Sequence, residues 1–149
     1  MKKLIPKRNN YYLLTRLNHV WSTYFSDILK TNPVKISFGR KNKTRLGSIK
    51  QEKDKFTVIK INGRFQDNRI PEYVIDTTIA HELCHYAHGF CSPRKKCFRY
   101  PHQGGIVNKE MDSRGLRELR LASRQWFGKS WRKIVKSTNV WKTFADMLI

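Results

Sequence analysis

The chain has 149 residues and a formal net charge of +20, with 31 lysines and arginines against 11 aspartates and glutamates. This length suits a single domain, 1–149, with a substantial hydrophobic core. No run of 18 apolar residues occurs, so no membrane-spanning helix is predicted, and Leu4-Ile5 is too short for a signal peptide. Because the three cysteines are an odd and low number, we expect a cytoplasmic protein without structural disulfides.

The positive charge is the main feature of the composition. An excess of this size, with a pI near 10.3, costs the compact state self-repulsion and indicates a polyanionic partner. We expect nucleic acid bound non-specifically through its phosphates, because no base-reading module is recognisable. A ribosome-like surface, an anionic membrane surface and a high pI without any partner are the alternatives. Three clusters hold much of the charge: Arg40, Lys41, Lys43 and Arg45; Arg94, Lys95, Lys96 and Arg99; Arg114, Arg117, Arg120 and Arg124.

The first half of the chain predicts one helix followed by three strands. After a basic lead-in over 1–10, apolar residues at three- and four-residue spacing predict an amphipathic helix from Tyr11 to about Lys30. Apolar and polar residues alternate over 34–38, and short apolar runs follow at 46–49 and 56–61. These runs predict a three-stranded sheet, with the first basic cluster in a hairpin region.

A second helix is predicted from about 71 to 88. Pro71 suits the first helical position, Glu72 adds favourable charge to the first turn, and Gly89 suits the C-cap. Apolar residues at helical spacing give this helix a core-facing stripe. Its members are Val74, Ile75, Thr78, Ile79, Leu83, Tyr86 and Ala87.

This second helix contains an HExxH motif, His81-Glu82-Leu83-Cys84-His85. Four residues advance about 400° around a helix, so His81 and His85 project from one face and can reach the same Zn²⁺ ion. Glu82 is next to the first histidine, where it can deprotonate a zinc-activated water. Without a metal, the histidines would be surface or core-edge residues and Glu82 a solvated acid.

A zinc site of this kind needs a third protein ligand. His88 lies about 10 Å further along the helix axis than His81, too far to close the same tetrahedron. His19 is expected to be a partly buried residue of the first helix. His102, in the loop after the second basic cluster, is the remaining histidine. Glu110 is its main alternative, because some HExxH sites take a glutamate from a later helix.

The cysteines are expected to have structural rather than catalytic roles. Cys84, inside the HExxH helix, is predicted to be a small core residue. Cys91 and Cys97 flank the second basic cluster and are predicted to be free loop thiols. A second metal site formed by these two with His88 is the less favoured alternative.

The last third of the chain is predicted to be helical. The third basic cluster would line one flank of a helix whose other flank carries Leu116, Leu119, Ala122 and Trp126. Residues 129–149 are predicted to be a helical tail, with Ser137-Thr138 capping a last helix that packs on the core. The order of helix, three-stranded sheet, HExxH helix, ligand loop and helical tail predicts a small α+β domain of the zincin type.

Taken together, these segments resemble the SprT-like family of zinc metalloproteases, which includes the eukaryotic DNA–protein crosslink protease Spartan. The resemblance covers residues 10–112, most of the chain. It implies that His102 is the third zinc ligand, because His102 and Met111 match an HGxxFxxxM-like stretch of the family, with Gln103 at its glycine position. The family's zinc-ribbon tail is not visible, since no CxxC pair occurs. The matching segments are 45–49, 58–62, 70–75, the HExxH motif and 102–111.

The sequence therefore predicts a metallopeptidase that holds one Zn²⁺ ion through His81, His85 and His102 and uses Glu82 as general base. An edge strand near 45–49 could align a protein or peptide substrate by backbone pairing. The resemblance implies protein substrates associated with DNA. Two alternatives are a nucleic-acid-binding protein with a structural zinc and a zinc hydrolase of another amide bond. The oligomeric state stays open.

Overall fold

The protein is described here by a computed structural model, which covers residues 4–53 and 55–136. Four helices and a three-stranded sheet form an α+β arrangement, as the sequence predicts. The last predicted helix, from Ser137 onwards, lies outside the described residues. In chain order the elements are α1 (Asn10–Tyr24), β1 (Val34–Phe38), β2 (Gly47–Glu52), β3 (Phe56–Ile61), α2 (Glu72–Ala87), α3 (Ile106–Ser113) and α4 (Arg117–Trp126).

The sheet has the strand order β1-β3-β2, with β1 parallel and β2 antiparallel to the central strand β3. The predicted hairpin around 40–45 is therefore wrong, because β1 and β2 are not neighbours. The buried Asn62 side chain explains the path of the chain. Its amide donates to Asn42 O (2.7 Å) and Arg45 O (2.8 Å), which holds this loop at the end of β3. As a result, β2 is an edge strand.

The first helix is shorter than predicted, ending at Tyr24 instead of about Lys30. The Trp21 indole donates to Ile28 O (2.8 Å), and Phe25 and Ile28 are both buried. The segment after Tyr24 therefore turns back onto the core, where its apolar side chains pack without continuing the helix. The helix start at Asn10 is fixed by the Asn9 side chain, which accepts from Tyr12 N (2.9 Å).

Helix α2 lies at the centre of the molecule and contacts α1, α3, α4 and β2. It agrees with the predicted 71–88 helix within a residue at each end, with Pro71 as N-cap. At its end Phe90 N donates to His85 O (2.9 Å) and Gly89 N to Tyr86 O (3.1 Å), a Schellman motif. Gly89 has φ +81°, and a Cβ there would lie 2.3 Å from Lys95 O, so glycine is required.

The third basic cluster does not occupy one helix as predicted. Gly115, with φ +82°, separates α3 from α4. Arg114 is the C-cap residue of α3, whereas the other three arginines lie on α4, and it pairs with Asp27 (2.6 Å) in the segment after α1. A π-helical turn, Phe127–Trp131, continues α4 and is followed by helical residues to 136. Within the described ranges, no helix has the length and apolar character needed to cross a membrane.

Candidate metal centre

Three histidines from two separate segments converge at one face of α2. His81 and His85 come from successive turns of the helix, and His102 from the loop that precedes α3. One ligand atom from each lies within 4.8 Å of the others. The Nε2 atoms of His81 and His102 are 3.3 Å apart. The structure thus brings together the three histidines singled out in the sequence.

The spacing and protonation of these imidazoles fit a divalent cation. Ligand nitrogens 2.0–2.1 Å from a tetrahedral Zn²⁺ are separated by about 3.3–3.4 Å, and the His81–His102 distance is 3.3 Å. Burial lowers the pKa of His81 to about 4, and the nearby His102 adds to the effect. Burial and the neighbouring histidines likewise lower the pKa of His85 to about 4. Both rings are therefore neutral at pH 7, as coordination requires.

The loop carrying His102 is held in a tight turn. Gly104 and Gly105 adopt φ values of +57° and +69°, and no atom would contact a Cβ at either position. Glycine is therefore favoured at these two positions by the backbone conformation and not by a lack of space. The Gln103 side chain accepts from Tyr100 N (3.2 Å). Gln103, which stands where the SprT-like pattern has glycine, thus helps to close the loop that presents His102.

Glu82 lies in a buried position beside the histidines, with 5% of its surface exposed. Burial raises the pKa of its carboxyl to about 7, and Arg45 opposes this rise. The carboxylate faces the start of the edge strand, since a Cβ at Gly47 would lie 3.0 Å from Glu82 Oε1 and 3.1 Å from Thr78 Cγ2. A side chain at position 47 would therefore force Glu82 or the strand to shift by a few tenths of an ångström, and glycine avoids this.

An open cleft of about 400 Å³ runs over the three histidines and Glu82. One wall is the beginning of β2, from Gly47 to Ile49, and the other includes Phe90 and Pro101. As β2 is an edge strand, the backbone groups on its outer side have no partner strand within the sheet. A peptide in extended conformation can pair with them while crossing the histidine cluster.

The alternative ligands considered from the sequence lie elsewhere. Glu110 bonds His88 Nε2 through Oε1 at 2.9 Å and is not part of the cluster. His19 is exposed on α1, not partly buried as predicted. Among residues 4–53 and 55–136, the three histidines are the only group that could hold a metal through three ligands, so no second site forms around Cys91 and Cys97.

Two features of the cleft are not apparent from the motif. Cys84 is buried in the core as predicted, and Cys97 is exposed, but Cys91 lines the cleft and has φ +58°. The second feature is Gly47, where the absence of a side chain leaves room for the Glu82 carboxyl beside β2. A glycine inside a predicted strand is a recognised signal of close backbone approach, and this signal was available in the sequence.

No family model and no curated protein matches this chain. A search of solved structures finds similarity to the metallopeptidase zymogen of Methanocaldococcus jannaschii, jannalysin, at 14% sequence identity and a TM-score of 0.37. The matched region covers 74% of this chain and 96% of that one.

Proposed function

We propose that this protein is a zinc-dependent metallopeptidase in which His81, His85 and His102 hold one Zn²⁺ ion. The observation that carries the proposal is the convergence of these three imidazoles, with two nitrogens 3.3 Å apart, beside a buried carboxyl group in an open cleft. Three histidine ligands and an accessible fourth position are the usual composition of a catalytic zinc site. We also propose that the chain is a SprT-like domain, on the sequence motifs given above.

A zinc ion at this site would activate a water molecule and polarise the scissile carbonyl. Glu82 would accept the proton of that water and donate it to the leaving amine. In the metal-free protein, burial raises the pKa of this carboxyl to about 7. The charge of a bound zinc ion would favour its ionised, proton-accepting form. The outer edge of β2 would align the substrate, because backbone pairing is independent of the substrate's side chains.

The direct test combines zinc content with hydrolysis of casein. Purified wild-type protein is expected to contain about one zinc per chain and to cleave casein, whereas Glu82→Gln retains zinc and loses at least about 100-fold in kcat/KM. His81→Ala is expected to lose both zinc and activity. Exposed residues provide matched controls: His19→Gln for the ligand variants and Glu118→Gln for the base. Wild-type protein free of zinc after gentle purification would contradict the metal proposal.

We further propose that the protein substrates are associated with nucleic acid. The net charge of +20 supports this proposal, as do the first two basic clusters, none of whose residues forms an ion pair with any described residue. Cleavage of a DNA-bound histone is then expected to exceed cleavage of the free histone, and the stimulation should disappear as salt is raised. Equal rates with and without DNA would contradict it.

A nucleic-acid-binding protein in which zinc only braces the fold is the second candidate, favoured by the same charge. It predicts stoichiometric zinc and salt-dependent DNA binding, with no proteolysis in the presence of DNA. Comparison of wild type with Glu82→Gln separates the two candidates. Proteolysis by the wild type that the substitution abolishes supports the peptidase, whereas DNA binding by both proteins without proteolysis by either supports the structural zinc.

A further inference from the structure

A second cavity of about 310 Å³ opens beside the histidine cleft, on the side of α3 and α4. His81, Glu82 and Gly47 line both spaces, so the cavity begins at the groups proposed for catalysis. Its far side is formed by α3, α4 and the π-helical turn that follows α4. A peptide crossing the three histidines along β2 would therefore have the mouth of this cavity next to its scissile bond.

Most of the wall of this cavity is apolar. Leu46, Met111 and Phe127 supply hydrocarbon and aromatic surface. The hydroxyls present are already satisfied by the protein, because Thr77 Oγ1 and Ser123 Oγ hydrogen-bond each other at 2.7 Å. The Thr78 hydroxyl likewise donates to Val74 O (2.8 Å). Asn108 also lines the cavity and adds one amide. Apart from this amide and the ionisable groups of His81, Glu82 and the two arginines, a substrate group finds few hydrogen-bonding partners here, which favours a hydrocarbon side chain.

Two arginines line the cavity, and they differ in their partners. Arg120 forms a two-point ion pair with Asp112, with both N–O distances at 2.8 Å, which neutralises much of its charge. Arg124 is exposed and forms no ion pair with any residue the structure describes. The cavity thus combines an apolar interior with one uncompensated positive charge.

We propose that this cavity is a specificity pocket that binds one large apolar side chain of a protein substrate next to the cleaved bond, and that Arg124 favours an acidic residue adjacent to it. The inference rests on the proposed peptidase function and names its substrate class. Leu46 and Phe127 determine the size of the side chain, and Arg124 discriminates between neighbouring charges.

The test uses four synthetic peptides that differ at two neighbouring positions, with Phe or Ala at the first and Asp or Lys at the second. Wild-type protein is expected to cleave the Phe peptides at least about 10-fold faster in kcat/KM than the Ala peptides, as burial of a large apolar side chain predicts. Among the Phe peptides, the Asp form should be favoured about 3- to 10-fold at low salt.

Substitutions then assign these preferences to the pocket. Leu46→Trp fills the cavity and is expected to reduce the Phe preference below about 3-fold, whereas Leu46→Met preserves it. Arg124→Glu should reverse the Asp preference without changing the Phe preference. Arg117→Glu makes the same charge change at an exposed position of α4 outside the cavity and should leave both preferences unchanged.

Binding measurements separate this inference from the peptidase proposal. Anisotropy of the same peptides, labelled and bound to zinc-loaded Glu82→Gln, should give the same order of affinities. Cleavage without any Phe or Asp preference would overturn the pocket and leave the peptidase standing. Selective binding by Glu82→Gln without cleavage by the wild type would support the pocket and contradict the peptidase. An absence of both selective binding and cleavage would overturn both.

Discussion

His88 Nε2 and Glu110 Oε1 lie 2.9 Å apart and join the end of α2 to α3. Both residues are candidate metal ligands in the sequence analysis, and in the structure they hydrogen-bond to each other instead. Glu110 also forms an ion pair with Arg114, whose Nε lies 3.4 Å from Oε2. Because α3 follows directly from the His102 loop, this partly buried contact helps to fix the loop relative to the two histidines of α2.

Breaking the His88–Glu110 contact is expected to weaken metal binding. Glu110→Leu removes the acceptor and should raise the zinc Kd by roughly 10-fold, a size typical of residues that support metal ligands indirectly. Glu110→Gln keeps an oxygen acceptor and should stay within about 3-fold of wild type. Chelator competition measures the two affinities. Equal zinc affinity for Glu110→Leu and wild type would show that the contact does not position His102.

Adding a methyl group at Gly47 is expected to impair catalysis without loss of metal. The new Cβ would lie 3.0 Å from Glu82 Oε1 and 3.3 Å from Lys60 O, so the carboxylate or the strand must shift. A displacement of this kind predicts at least about a 10-fold fall in kcat/KM for Gly47→Ala. Gly128→Ala is the matched control, because a Cβ there contacts nothing. Zinc content should remain stoichiometric in both variants.

The buried carboxyl of Glu82 predicts a pH-dependent difference in the stability of the metal-free protein. Folding raises its pKa from 4.5 to about 7, so ionisation of Glu82 destabilises the folded state fully above pH 7 and not at all below about 4.5. Glu82→Gln removes this cost. Its free energy of unfolding should therefore exceed that of wild type by on the order of 2 kcal/mol at pH 8, and by little at pH 4.5.

Urea unfolding in the presence of a chelator measures that difference at each pH. The lowered pKa values of His81 and His85 make both proteins less stable as the pH falls from 6.5 towards 4, and this effect cancels between them. Glu118→Gln, at an exposed position, is the control and should differ little from wild type throughout. An advantage of Glu82→Gln that does not grow with pH would contradict the prediction.

Removal of zinc is expected to lower thermal stability. A ligand at about 100 times its Kd stabilises the folded state by about 2.7 kcal/mol, so chelation should lower the Tm by several degrees. Restoring zinc should recover the wild-type Tm, but should have a much smaller effect on His102→Ala, which lacks one candidate ligand. A shift of equal size in His102→Ala would place the stabilising metal elsewhere.

The prediction of the fold succeeded where local patterns are sufficient. The strand positions and the 71–88 helix follow from the spacing of apolar residues, and each lies within a few residues of its observed bounds. The predicted end of α1, at about Lys30, is wrong. The chain turns after Tyr24, where the Trp21–Ile28 hydrogen bond forms, although the apolar pattern continues further. The hairpin was wrong because strand order depends on Asn62 holding a loop 20 residues earlier in the chain.

The sequence by itself determined that His81 and His85 share a helix face with Glu82 beside them, because the pitch of a helix fixes residues four apart. Only the tertiary structure decided that His102 joins them, that Glu110 turns to His88, and that Gly47 brings the edge strand against Glu82. These relationships join segments that are distant along the chain. Loop closure and core packing fix their geometry, and neither is encoded in a local pattern.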